Sequence, residues 1–406
     1  MKFSKLSQLA LVSSICLIVS TLQTACQLVT IDFVFVASSS GSGTGSTGQI
    51  QTYAVDSESG ALRQGAPTVS SGGVGPVYLA ATSNYYNLYA ANSASRTVVH
   101  FTVATNGVLT PTDSVTLSAS PVALAVNAAN TYLYVVSGTT YATLTEYPLS
   151  NIGVIGAPAA TLSLNLTSVG YPADTIVPTA VDVLANSNDV YVAAYDQSAY
   201  NPGGTVSSSA NPGWIFGLAV GSGGALTPTT GSPYKAGVKP SAIASDPVNR
   251  FVYASDYASN QLIGYAIQTN GSLNFLLNGP FKTGNEPSGV AIDPRGIFIY
   301  VSNALDSSIT GYTISLPTGT PSAIVNNTSS QPYITDTQPV AIAIDPALGR
   351  FVYTVNYLGN SVSGFRMDTN TGVVSSTQAT PYPTGDNPTS LVIVPHGNHS
   401  VQSVTP

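Results

Sequence analysis

The chain has 406 residues, a net charge of −7 and only 7% charged residues, against about 25% in an average soluble protein. The acidic balance argues against nucleic acid and against electrostatic binding to anionic lipid as partners. No long aliphatic run follows residue 36, which rules out a transmembrane helix in the body of the chain.

Residues 1–25 read as a secretion signal of the lipoprotein type. Lys2 and Lys5 give a basic start, Leu9 to Val19 is mostly apolar, and Leu22-Gln23-Thr24-Ala25-Cys26 resembles a lipobox. Gln23 stands where a leucine is usual, so simple cleavage and release is the alternative to lipid on Cys26. Cys16 would leave with the signal, and the mature chain would form no disulfide. Residues 26–30 form a short tether. The expected localisation is the cell envelope, as a membrane-anchored lipoprotein in the periplasm or on the surface.

From residue 31 to 395 one phrase returns seven times. A proline opens a short apolar strand (Pro76, Pro121, Pro178, Pro240, Pro287, Pro339, Pro388). A second strand follows with an aromatic or apolar pair, as in Phe33-Val34-Phe35, Leu88-Tyr89, Leu133-Tyr134, Val190-Tyr191, Phe251-Val252-Tyr253, Phe298-Ile299-Tyr300 and Phe351-Val352-Tyr353. A third strand carries Tyr53, Phe101, Tyr147, Leu218, Tyr265, Tyr312 or Phe365. The 312 residues from Pro76 to Pro388 span six intervals, or 52 residues each. Multi-strand periods of this length are the mark of β-propeller blades. The first second-strand lacks a proline strand before it, and the last proline strand lacks a partner after it. The chain is therefore expected to be all-β, one seven-bladed β-propeller with four antiparallel strands per blade. Its C-terminal strand would complete the N-terminal blade, and residues 396–406 would form a tail. Turns such as Asp246-Pro247-Val248-Asn249 give their aspartates structural work.

Strand alternation sorts the loops onto two faces. The segments before each proline and the loops after each second strand share one face, here termed the mouth. The tether enters from the other end, so a lipid on Cys26 would turn the mouth away from the membrane. The loop from Ala194 to Gly213 is long and reads either as a lid or as a tolerated insertion.

Gly223-Gly224-Ala225-Leu226-Thr227-Pro228, Gly231-Ser232-Pro233, Lys239-Pro240-Ser241, Ala291-Ile292-Asp293-Pro294 and Tyr300-Val301-Ser302-Asn303 resemble passages of the seven-bladed lactonase family, the 6-phosphogluconolactonase-like propellers. The matching residues are scaffold residues. The resemblance implies hydrolysis of sugar lactones, although fold alone does not assign function.

Histidine is the commonest general base, but His100 lies in a third strand away from the axis, and His396 and His399 follow the closing strand on the face opposite the mouth. Arg96, Lys235, Lys239 and Lys282 are spread over four blades, which disfavours a phosphorylated substrate. Among the fourth positions after proline, Asp182 alone is charged; Ala80, Ala125, Ala244, Ala291, Ala343 and Val392 fill the others. It is the candidate catalytic base, with a structural aspartate that caps strand donors as the bland reading. Tyr78 is a bulky residue where other inner strands place Ala, Gly or Ser. Asn92, Tyr195, Asp256, Asn303 and Asn356 are read as a polar ring at the mouth. With Tyr78, Arg96 and Asp196 they are the candidate ligand contacts, suited to sugar hydroxyls or, weakly, Ca²⁺. No metal-site motif and no other cofactor is expected. Low charge and the scarcity of histidine favour a non-catalytic binding or scaffold module for a carbohydrate or envelope protein. The alternative is an extracytoplasmic lactone hydrolase using Asp182.

Overall fold

A computed structural model describes residues 29–39, 46–138, 141–170, 175–200, 212–324 and 332–404. The signal segment and Cys26 lie outside these, as do residues 40–45 and residues 201–211 of the long mouth loop. No helix among the described residues is long and apolar enough to cross a membrane.

Seven antiparallel sheets form the seven blades. Pro76–Ala81, Pro121–Val126, Ile176–Val183, Pro240–Ser245, Pro287–Ile292 and Pro339–Ile344 are the inner strands of blades 2 to 7. Each touches the next around the axis. Proline suits the first position of such a strand because it cannot donate to the ladder. In all six blades the register shifts by one residue just after it. In blades 4 to 7 the outer strand is broken into two short pieces, both paired with the third strand.

Blade 1 closes the ring as the repeat count requires. The first strand, Thr30–Ser39, pairs with Asp386–Pro395, with Phe33 opposite Val394 and Phe35 opposite Val392. The closing strand continues the ring laterally as well. Thr389 Oγ1 donates to the Pro76 carbonyl at 2.8 Å, and the Leu79 amide donates to Ser390 Oγ at 3.0 Å. Ser241 and Ser288 occupy the position of Thr389 in blades 5 and 6, and bind the proline carbonyls of the next blades, Pro287 and Pro339.

The second-strand aromatics lock each blade to its successor. In blade 5, Phe251 packs on Gly319, a turn residue of blade 6 with φ of 70°, and Tyr253 Oη donates to the Gly319 carbonyl at 2.6 Å. Blade 7 repeats this on Gly60 with Phe351 and Tyr353, and blade 6 on Gly372 with Phe298 and Tyr300. Tyr89 and Tyr191 reach the Gly153 and Gly271 carbonyls in the same way. Opposite the ring, the third strand holds glycine in blades 4 to 7, because a Cβ at Gly264, for instance, would lie 3.1 Å from Tyr253. Blade 3 departs from the rule. Glu146 faces Tyr134, and the Tyr134 hydroxyl bonds no carbonyl.

Two outcomes follow. Tyr253→Phe leaves the Gly319 carbonyl without its donor and should cost about 1–3 kcal/mol in denaturant unfolding. A chain ending at Asn387 removes buried Leu391, Ile393 and Val394, at about 1.5–3 kcal/mol each. It should lose its cooperative thermal transition, and an unchanged melting curve would contradict the closure.

Candidate functional site at the axial mouth

The inner strands carry the sequence-predicted base down the axis. Asp182 lies deep in the ring beside Tyr78, which reaches across to pack on blades 3 and 4. Burial raises the Asp182 pKa to about 6, against the Ser245 hydroxyl and the amides of Ser245 and Val183, which lower it. The Ser245 amide donates to Asp182 Oδ2 at 2.6 Å, so the carboxylate does cap a donor of the neighbouring strand. Burial, with Asp182 adding to it, pushes Tyr78 up to about 12.

Four members of the proposed polar ring are fully buried and bonded within the scaffold. Asn92 exchanges hydrogen bonds with the Ser71 hydroxyl and carbonyl. Asp256 accepts from the amides of Val238 and Lys239, both at 2.9 Å, and from Gln261. Asn303 accepts from the Gly284 amide, and its Nδ2 donates to the Ser308 and Thr310 hydroxyls. Asn356 Nδ2 donates to Ser361 and Ser363. The fifth member is out of register. Pro178 pairs with Ala194, whereas Pro76, Pro240, Pro287 and Pro339 pair with Asn92, Asp256, Asn303 and Asn356. A one-residue offset turns a strand side chain to the opposite face, so Tyr195 does not join the ring. Asp196 accepts from the Ser198 amide and supports the Lys235 charge. Arg96 is exposed at the turn after the second strand of blade 2. His100 is bound to Asp113 and Asn87 inside blade 2, so it serves packing.

Tyr195 meets other groups instead. It contacts Tyr200 edge-on, with ring centroids 5.5 Å apart. Lys239 Nζ lies 5.7 Å from both of these rings and 4.6 Å from the Tyr257 ring. The Tyr257 hydroxyl donates to Glu286 Oε2 at 2.7 Å. Burial lowers the Lys239 pKa and the Glu286 charge opposes the fall. Lys239 and Glu286 are the residues immediately before the inner-strand prolines of blades 5 and 6. Each offers its carbonyl to the amide of the first residue after its second strand, Tyr257 and Ala304 respectively. The pre-proline position is thus a true ring around the mouth, continued by Gln338 and Asn387, with left-handed φ at Glu286, Gln338 and Asn387. Reading the residue before each proline across repeats would have found it.

Asp182 and this cluster do not form one site. Lys239 precedes the first inner-strand residue, whereas Ser245, the partner of Asp182, is the last. Six residues of strand separate these two levels by roughly 20 Å along the axis. At the far end, a cleft of about 650 Å³ is lined by Arg295, Arg350, Arg366 and Asp368 among others. There Arg295 is held by Asp293 and the Thr369 carbonyl, and Arg350 by the Ser57 carbonyl.

The sequence pattern described as "Lactonase, 7-bladed beta-propeller" matches residues 34–173 and 224–334, more than half of the chain. No curated protein matches. Among solved structures, the periplasmic gluconolactonase of Pseudomonas aeruginosa superposes with a TM-score of 0.71 at 17% identity, covering 90% of this chain and 99% of that one. A candidate 6-phosphogluconolactonase of Bacteroides fragilis NCTC 9343 gives 0.69 at 16% identity, covering 91% and 99%. Its counterpart from Bacteroides uniformis ATCC 8492 gives 0.70 at 16%, covering 90% and 99%. These likenesses show the shared fold, and the sequence match goes further: the chain belongs to the seven-bladed β-propeller lactonase family.

Proposed function

We propose that the protein is an exported hydrolase of a sugar-type lactone that works at the axial mouth. Family membership reverses the ranking that composition suggested, in which a non-catalytic scaffold came first. The observation that carries the reading is the convergence of Lys239, Tyr257 and Glu286 beside Tyr195 and Tyr200. The aromatic faces offer stacking surface to a sugar ring. Glu286, oriented by the Tyr257 hydroxyl, takes a proton from water as the water oxygen attacks the lactone carbonyl. Lys239 stabilises the oxyanion that develops there. The ring C–O bond then breaks, the leaving alkoxide takes up the proton, and the product is the open hydroxy acid.

Asp182 supports a second reading, because its pKa of about 6 suits a base. Hydrolysis of δ-gluconolactone, used as a probe and followed by acid release, separates the two. The mouth reading predicts that Glu286→Gln lowers kcat by about 10²–10⁴-fold, while Asp182→Asn stays within a few-fold of wild type. The axial reading predicts the reverse. It also predicts that kcat/KM of the wild type rises as pH passes upward through about 6, where the Asp182 carboxyl gives up its proton. Full activity in both variants would remove the hydrolase assignment from these residues.

Export rests on the basic and apolar pattern of residues 1–25, and the P. aeruginosa relative is named as periplasmic. The first strand starts on the face opposite the mouth, where the His396 amide bonds the Ile31 carbonyl, so a lipid on Cys26 would leave the mouth facing outward. Cys26→Ser should move the protein from the membrane to the soluble envelope fraction; an unaltered membrane fraction would refute the anchor.

A further inference from the structure

Three segments from distant parts of the chain meet in a buried cluster at the end opposite the mouth. Asp32 lies in the first strand, Asp345 opens the turn after the inner strand of blade 7, and His399 sits in the short 3-10 turn Gly397–Val401. His399 Nε2 is 3.1 Å from Asp345 Oδ1 and 3.4 Å from Asp32 Oδ1. One ligating atom from each residue lies within 4.8 Å of the others. Both carboxylates are fully buried, and His399 is 4% exposed.

The partners of the three groups are unequal. Asp345 accepts from the amides of Ala347, Leu348 and Arg350. Neither oxygen of Asp32 has a hydrogen-bond partner, and a buried, unsatisfied carboxylate is costly. Asp246 and Asp293, at the position of Asp345 in blades 5 and 6, are each paired with an arginine of their own turn. Arg350, the corresponding arginine of blade 7, gives its Nη2 to the Ser57 carbonyl instead. His399 Nδ1 is 2.6 Å from Gln402 Oε1, which places a proton on Nδ1. Nε2 then faces the two carboxylates. An imidazole whose far nitrogen is fixed by a carbonyl is the usual setting of a metal ligand.

We propose that Asp32, Asp345 and His399 bind a zinc-type divalent cation that clamps the N-terminal strand, the last blade and the C-terminal tail together. Tetrahedral zinc with bonds of about 2.0–2.2 Å sets ligand–ligand separations of roughly 3.3–3.5 Å, close to the two His399–carboxylate separations of 3.1 and 3.4 Å, while the two carboxylates lie within 4.8 Å of each other. The imidazole disfavours Ca²⁺ and Mg²⁺, which take six or more oxygen ligands. The three ligands are assembled only in the closed ring, so binding adds to the stability of closure.

The test uses the full mature chain, stripped with EDTA and then titrated with Zn²⁺. The proposal predicts one zinc per chain retained through gel filtration, and a melting temperature raised by at least about 3 °C over the stripped protein. His399→Gln and Asp32→Asn should each lose both effects. Gln402→Leu keeps all three ligands and should bind about 10- to 100-fold more weakly, so one informative variant survives if the others fail to fold. No zinc on the wild type above background, a melting temperature indifferent to Zn²⁺ and EDTA, or undiminished zinc on His399→Gln would each overturn the site and leave His399 as an imidazolium between two carboxylates.

Discussion

The tyrosine hydroxyl that crosses from the second strand of five blades to a glycine carbonyl of the next is the constraint on which the ring depends. The bond is buried, so neither partner can turn to water, and the glycine must hold a left-handed backbone to present its carbonyl. The residue two earlier covers the same glycine, a phenylalanine in blades 5 to 7 and Asn87 or Asp189 in blades 2 and 4. Each outer hairpin is thereby placed at a fixed distance and angle from the preceding blade. Five of the seven interfaces use the tyrosine bond. The two others fall where the second strand carries Phe35 instead and where Tyr134 faces Glu146. Blade 1 substitutes Thr52, whose hydroxyl reaches the Gly107 carbonyl at 3.4 Å.

With the outer hairpins fixed, the inner strands crowd the axis and their chemistry is narrowed. Small residues pack there, hydroxyls stitch neighbouring prolines, and the one axial carboxylate is tied to a neighbouring amide. What remains free to vary is the residue just before each proline, at the rim. Blades 5 and 6 place opposite charges in those adjacent positions, and blade 4 brings two tyrosines beside them, Tyr195 from the end of its second strand and Tyr200 from the loop that follows. A fold built from repeated scaffold thus carries its distinctive chemistry in one sector of the mouth. The family match supplies the class of reaction that this sector is proposed to perform, which the scaffold alone could not.

Periodicity made the fold legible. Seven prolines, the recurrent Phe-x-Tyr and the incomplete first and last repeats gave blade number and closure directly, because each reflects a local strand pattern. The turn aspartates follow the same local logic: Asp246, Asp293 and Asp345 each accept from backbone amides of their own turn. The site was less legible because it depends on register and on neighbours across blades. Asn92, Asp256, Asn303 and Asn356 occupy matching positions yet turn inward to the scaffold. Tyr195 is one residue away from that position: Asn92, Asp256, Asn303 and Asn356 each follow the second-strand tyrosine by three, and the residue three after Tyr191 is Ala194, so a count from that tyrosine exposes the offset. Lys239 and Glu286 lie in separate repeats, and only the closed ring shows that Tyr257 links them. Asp32 and His399 come from opposite ends of the chain, and nothing local in either segment announces their meeting.

The most direct measurement is a crystal structure of the mature protein soaked with gluconate, the hydroxy acid that opening of δ-gluconolactone releases. The account predicts density at the mouth, with the sugar chain against Tyr195, Tyr200 or Tyr257 and the carboxylate toward Lys239. Density confined to the arginine-lined cleft at the opposite end, or an undisturbed mouth at saturating gluconate, would contradict it.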